Sequence, residues 1–135
     1  MIFVDTNVVV DVVDNDAVWG SWSQQQLDIA ASLDDLAIND VVYAELGVGY
    51  QDQRALDTMI AGAGLILVPI PRLALFMAAK AYQRYRASGG TRTGVLPDFF
   101  IGAQALAAGT MLITRDPGRY RVYFPQLPLI TPALN

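Results

Sequence analysis

The chain has 135 residues, a net charge of −4, and neither cysteine nor histidine. That length suits one ordinary domain. The missing residue types exclude disulfides, zinc–thiolate sites, imidazole bases and imidazole metal ligands. Any catalysis must therefore run on carboxylates, hydroxyls, the single lysine, arginines or a bound metal.

Hydrophobic residues make up 53% and charged residues 16%, which favours a packed core over disorder. A mean hydropathy of +0.34 is high for a small monomer and points to an apolar surface covered by a partner. The charge is unevenly spread. Residues 1–71 hold eleven acids and one base, Arg54, whereas residues 72–135 hold two acids, Asp98 and Asp116, and eight bases. A basic half enclosing two isolated acids suits a polyanion drawn towards a carboxylate pocket. Solvated helix faces of opposite sign are the plain alternative.

Ile2-Phe3-Val4 reads as a short buried strand ending at Asp5. A helix is expected over Thr6–Val13, capped by Thr6 or Asn7, and a second from about Trp19 to Leu33. Leu36–Ile38 is the next strand. Asn39 or Asp40 would cap a helix over Val41–Val48 that carries Glu45. Arg54–Ala61 is helical in pattern, with Gly62 and Gly64 ending it. Leu65–Val68 reads as a third buried strand, followed by a long helix over Arg72–Ala87. Gly89–Gly94 is a loop by composition, and Pro97 suits the first turn of a helix over Asp98–Ala108. Met111–Thr114 is a fourth strand, Arg115–Pro128 is turn-rich, and Leu129–Thr131 is a fifth strand.

The expected architecture is a single α/β domain over residues 1–135, with a mostly parallel sheet of about five strands and helices on both faces. The N-terminal segment carries Asp5 and Asp11 and lacks a basic flank, so it does not read as a signal peptide. Pro69, Pro71 and Arg72 break the most apolar run into pieces too short to span a bilayer. A cytoplasmic protein with no membrane segment is the expectation.

Ligands gather at the carboxyl ends of strands in open α/β sheets. Asp5 follows the first strand and Asp116 lies just beyond the fourth, so both fall at one sheet edge. Asp98 opens a helix, where the dipole favours an ionised carboxylate. Glu45 sits in an otherwise apolar helix and needs either solvent or a partner. Taken singly, each acid has a plain reading: a cap for Asp5, a helix-start acid for Asp98, a turn residue for Asp116, a half-exposed position for Glu45. If they converge, like charges ~4 Å apart repel by about 4 kcal/mol at an effective dielectric near 20. Such a pocket must raise pKa values or bind a cation. Oxygen ligands alone point to Mg²⁺, with Mn²⁺ as a substitute.

Four segments taken together resemble the PIN-domain family, and specifically VapC-type toxins of toxin–antitoxin pairs. They are Phe3-Val4-Asp5-Thr6-Asn7, Ala44-Glu45-Leu46, Pro97-Asp98-Phe99-Phe100-Ile101-Gly102-Ala103-Gln104-Ala105 and Leu112-Ile113-Thr114-Arg115-Asp116. They occur in the family's order and cover the chain nearly end to end.

The resemblance implies a Mg²⁺-dependent endoribonuclease with Asp5, Glu45, Asp98 and Asp116 as its catalytic acids. Asp5 and Asp98 would be the principal metal ligands, and Asp116 would join them directly or through water. Thr114 would order the site, while Thr6 and Asn7 would support it or approach the substrate. RNA is the implied substrate, a small VapB-like antitoxin the implied partner, and a homodimer the common assembly.

Arg92 and Arg115 are weaker candidates for RNA contact, and pairing with a neighbouring acid is the equal alternative for Arg115. Asp11, Asp14, Asp34, Asp35 and Asp40 read as caps or solvated positions. Two other functions compete: a non-cleaving RNA-binding or regulatory module on the same fold, and a metal-dependent phosphatase. The phosphatase reading fades because Asn7 stands where a second aspartate would be needed.

Overall fold

The computed structural model describes residues 1–133; the end of the expected 1–135 domain lies outside the described residues. Its strands are β1 (Ile2–Val4), β2 (Leu36–Ile38), β3 (Leu65–Leu67), β4 (Leu112–Ile113) and β5 (Leu129–Ile130). They form one parallel sheet in the order β3-β2-β1-β4-β5. Between them run α1 (Thr6–Val13), α2 (Gly20–Leu33), α3 (Asp40–Gly47), α4 (Gln53–Gly62), α5 (Arg72–Ala87), α6 (Pro97–Ala107) and α7 (Gly118–Tyr123). Parallel neighbours require crossovers, and their right-handedness places helices on both faces of the sheet.

The central strand is buried on both faces. Phe3 pairs with Ala37 on one side and Leu112 on the other, and all of β1 and β4 is buried. From β1 the chain winds outwards through β2 and β3, then returns to build β4 and β5 on the opposite side. The strand order therefore reverses between β1 and β4, the place where such sheets open a crevice at their carboxyl ends. Asp5 and Thr114 sit there.

Two expectations need correction. The third strand is not buried throughout: β3 is a sheet edge, and Ile66 and Leu67 are 46% and 43% exposed. An apolar run does not distinguish an edge strand from an inner one. The stretch Arg115–Pro128 is also more than turns, because it contains α7. That helix packs close against α6 at Gly102, where a Cβ would stand 2.6 Å from the Phe124 ring and 3.0 Å from the Tyr120 ring.

Candidate functional site

Asp5 lies at the carboxyl end of β1 and caps α1. Its extended backbone lets Oδ1 accept the Thr6 N–H at 2.7 Å. The plain reading of this residue as a cap is thus correct as far as Oδ1 goes. Oδ2 has other work: it accepts from Thr114 Oγ1 at 2.8 Å, Tyr120 Oη at 2.9 Å and Asn7 Nδ2 at 3.3 Å. All these donors are neutral.

Thr114 is fully buried at the end of β4. Its hydroxyl donates to Asp5 and accepts from Asn7 Nδ2 at 3.4 Å and the Asp116 N–H at 3.1 Å. Asn7 Oδ1 in turn accepts the Arg115 N–H at 3.3 Å. The ends of β1 and β4 are therefore laced together by side chains as well as by the strand ladder.

Asp98 comes from the first turn of α6, which Pro97 can start because a first-turn residue needs no N–H partner. Its Oδ2 meets Arg119 Nη1 at 3.3 Å, with both side chains about a third exposed. Glu45, on α3, is exposed, and its Oε1 accepts from Thr6 Oγ1 at 2.7 Å. Thr6 thus bridges Glu45 to the cap residue of its own helix.

The electrostatics tie these acids together. Burial pushes the Asp5 carboxyl up to about 6, and the charge of Asp98 adds to that; hydrogen bonds from Thr114, Tyr120 and Thr6 oppose it. The buried Tyr120 hydroxyl holds its proton well above the ordinary range, first through desolvation and then through the charges of Asp5, Asp98 and Glu45. One phenol thus feels three carboxylates. Even so, among the described residues no three acidic side chains are already gathered as a ready-made metal site.

Asp116 is exposed, and among the described residues only its backbone N–H joins the network, through Thr114. Arg92 is exposed on the loop between α5 and α6. Its backbone is held by Tyr82 Oη and Arg86 Nη1, both donating to its carbonyl at 3.1 Å, and its N–H donates to Tyr85 Oη at 3.3 Å.

Arg115 is engaged elsewhere. Its Nε donates to Asp11 Oδ2 at 2.7 Å, and its guanidinium lies over the Trp19 ring at 5.8 Å. Asp11 consequently departs from its expected role as a cap or solvated residue, being only 2% exposed and also bonded by Ser23 Oγ at 2.9 Å. Tyr120 was not among the expected site residues. Its one sequence signal is the Tyr120–Phe124 pair of aromatics at helical spacing.

No curated protein sequence matches the chain at a significant level. Solved structures do match it in fold. VapBC2 from Rickettsia felis, bound to a DNA fragment from their promoter, superposes with a TM-score of 0.73 at 20% identity, covering 97% of this chain and 98% of that one. A toxin–antitoxin complex from Klebsiella pneumoniae gives 0.71 at 21% identity, with full coverage of both chains. VapBC-1 from nontypeable Haemophilus influenzae gives 0.70 at 18% identity, covering 97% and 98%. At such identities the likeness is one of fold. The sequence itself matches the model of the PIN domain over residues 2–125, and the chain therefore belongs to the PIN-domain family.

Proposed function

We propose that this PIN domain is a metal-dependent endoribonuclease acting as the toxin of a VapBC-like pair. The observation that carries the reading is the Tyr120 hydroxyl lying in the joint field of Asp5, Asp98 and Glu45. Three acids from separate parts of the chain thus bear on one buried hydroxyl at the sheet's carboxyl edge.

The donor chemistry fits a hard divalent cation. The site offers oxygen ligands with no sulfur or imidazole nitrogen, and among the described residues Asp5 has no positive partner. Asp5 and Asp98 would hold Mg²⁺, or Mn²⁺ in its place, with Asp116 joining directly or through water. When bound, such an ion lowers the pKa of a water and neutralises charge developing on a phosphate.

The chain's own residues have separable tasks. Thr114 orders Asp5 through the hydrogen bond to Oδ2. Glu45 has Oε1 engaged by Thr6, and Oε2 has no hydrogen-bond partner among the described residues, so it is the oxygen available to take a proton from an attacking water. Arg119, beside Asp98, is a cation within reach of a phosphate.

Two surfaces support the partner reading. A groove of about 380 Å³ between α1 and α3 is lined by Val10, Val13, Leu46, Val48 and Tyr50 and borders Glu45. A VapB-like antitoxin segment seated there would cover the catalytic edge. Leu73, Phe76 and Val122 are 61–67% exposed and offer apolar surface to a second copy of the chain.

The test is cleavage of a mixed RNA pool with Mg²⁺ or Mn²⁺, with and without a chelator. Activity should require the ion and fall at least about a hundredfold in Asp5→Asn and in Asp98→Asn. Undiminished cleavage by both variants would overturn the assignment. RNA binding without turnover would favour the regulatory module, and preferential hydrolysis of p-nitrophenyl phosphate would restore the phosphatase.

A further inference from the structure

Tyr120 is 1% exposed, and a buried phenol must place its O–H on an acceptor. That acceptor is Asp5 Oδ2, at 2.9 Å. An ionised carboxylate has about four lone-pair sites, two on each oxygen. At Asp5 the two oxygens are used unequally. Oδ2 takes Thr114 at 2.8 Å and Tyr120 at 2.9 Å, with Asn7 farther off at 3.3 Å, and is saturated. Among the described residues Oδ1 takes only the Thr6 N–H, at 2.7 Å, and keeps one site open.

We propose that Tyr120 is a positioning residue: together with Thr114 it fills Oδ2 of Asp5 and so fixes Oδ1 as the oxygen presented to a divalent cation. The inference rests on the metal-dependent reading above and adds to it which residue sets the orientation of the ligand. Without Tyr120, Thr114 would be the one short donor left on Oδ2, opposite the Thr6 N–H on Oδ1. Two short donors on Oδ2, one from just beyond β4 and one from α7, fix the carboxylate's plane together with the Thr6 N–H on Oδ1.

The fold places Tyr120 for this purpose through Gly102. Without a side chain at that position, α7 settles against α6 so closely that a Cβ there would meet both Phe124 and Tyr120. Groups that orient a metal ligand typically change metal affinity by 10–100-fold when removed.

The experiment is Mn²⁺ binding by the full chain, followed by calorimetric titration and by the spin-resonance signal of free Mn²⁺. Tyr120→Phe removes one oxygen and keeps the ring. Phe124→Leu, on the same turn of chain, loosens the packing and removes no polar group. Tyr120→Phe should weaken Mn²⁺ binding about tenfold while circular dichroism shows the fold intact. Phe124→Leu should lower the melting temperature and leave Mn²⁺ affinity unchanged. Unchanged affinity in a folded Tyr120→Phe protein would overturn the proposal, as would an equal loss in Phe124→Leu. If the unsubstituted chain bound no Mn²⁺, this inference and the metal-dependent reading would fall together. Normal binding that is indifferent to Tyr120→Phe would remove the inference alone.

Discussion

Asp5 and Asp11 stand at either end of α1, and both are buried, with 4% and 2% of their surface exposed. Their surroundings differ in one respect that decides their roles. Asp11 meets a full positive charge, the Arg115 guanidinium at 2.7 Å, and a second donor from Ser23. Asp5 meets four neutral donors and a neighbouring carboxylate, Asp98. Burying a carboxylate is costly unless its charge is compensated. The fold supplies that compensation at Asp11 and, among the described residues, withholds it at Asp5, so Asp11 joins parts of the fold while Asp5 carries a buried charge that the proposed metal-dependent function would set beside a cation. The Arg115 pair also straps α1 to the end of β4, which keeps Thr114 in reach of Asp5.

The comparison can be broken most severely at Asp11. Removing one partner of a buried ion pair costs about 3–5 kcal/mol. Arg115 retains 31% side-chain exposure and can turn to water, so Asp11→Asn should cost about 3 kcal/mol, at the lower end. Asp5→Asn in the metal-free protein should cost little, because it removes a buried charge that has no counterion among the described residues. Urea denaturation in the presence of a chelator reads both. Equal destabilisation by the two substitutions would erase the distinction.

A second, smaller effect sharpens it through pH. The folded pKa of Asp5 is raised from 3.8 to about 6, so the native state holds the proton more tightly than the unfolded chain. The stabilisation from that proton is complete below about pH 4. It fades as pH rises through about 6, and is absent above. Its upper bound is about 3 kcal/mol, since each tenfold gain in proton affinity is worth about 1.4 kcal/mol. Other carboxylates titrate in the same range, so the informative quantity is the stability difference between the unsubstituted chain and Asp5→Asn, measured without metal from pH 4 to 7. That difference should move in favour of Asp5→Asn as pH rises. A flat difference would mean that Asp5 ionises without penalty.

How much of this was legible in the residues follows from range. Asp5, Asp98 and Thr114 each sit where a local signal ends: an apolar run for Asp5 and Thr114, a helix-starting proline for Asp98. Chain topology then brings those ends to one edge, and alternating strands and helices are enough to imply it. Asp11 carries no such signal. It interrupts a run of valines, and its partner lies 104 positions away, a separation at which no periodicity speaks. Tyr120 is hidden for another reason. Pro117, Gly118, Pro125 and Pro128 make the segment read as turns, and a six-residue helix is too short to show an amphipathic repeat. The strand at residues 65–67 is legible from its apolar run, but its edge position depends on which strand lies beside it, which its own composition does not encode.

The smallest predicted effect separates the two aspartates without touching either. Gly102→Ala sets a methyl 2.6 Å from the Phe124 ring. That ring is packed edge-on against Phe99, so it cannot simply swing clear, and α7 must move outwards. Overpacking of this kind typically costs 1–3 kcal/mol. Because only the six-residue α7 has to shift, the loss should stay at about 1–2 kcal/mol. The outward shift draws Tyr120 away from Asp5, whereas the Asp11–Arg115 pair lies between α1 and the end of β4 and does not involve α7. Combining Gly102→Ala with Asp11→Asn should therefore give additive losses in urea denaturation, as expected for sites without shared partners. Combining it with Tyr120→Phe should give less than the sum in Mn²⁺ affinity, because each change removes the same hydrogen bond. Additivity in that second pair would place the effect of Gly102 elsewhere than on the orientation of Asp5.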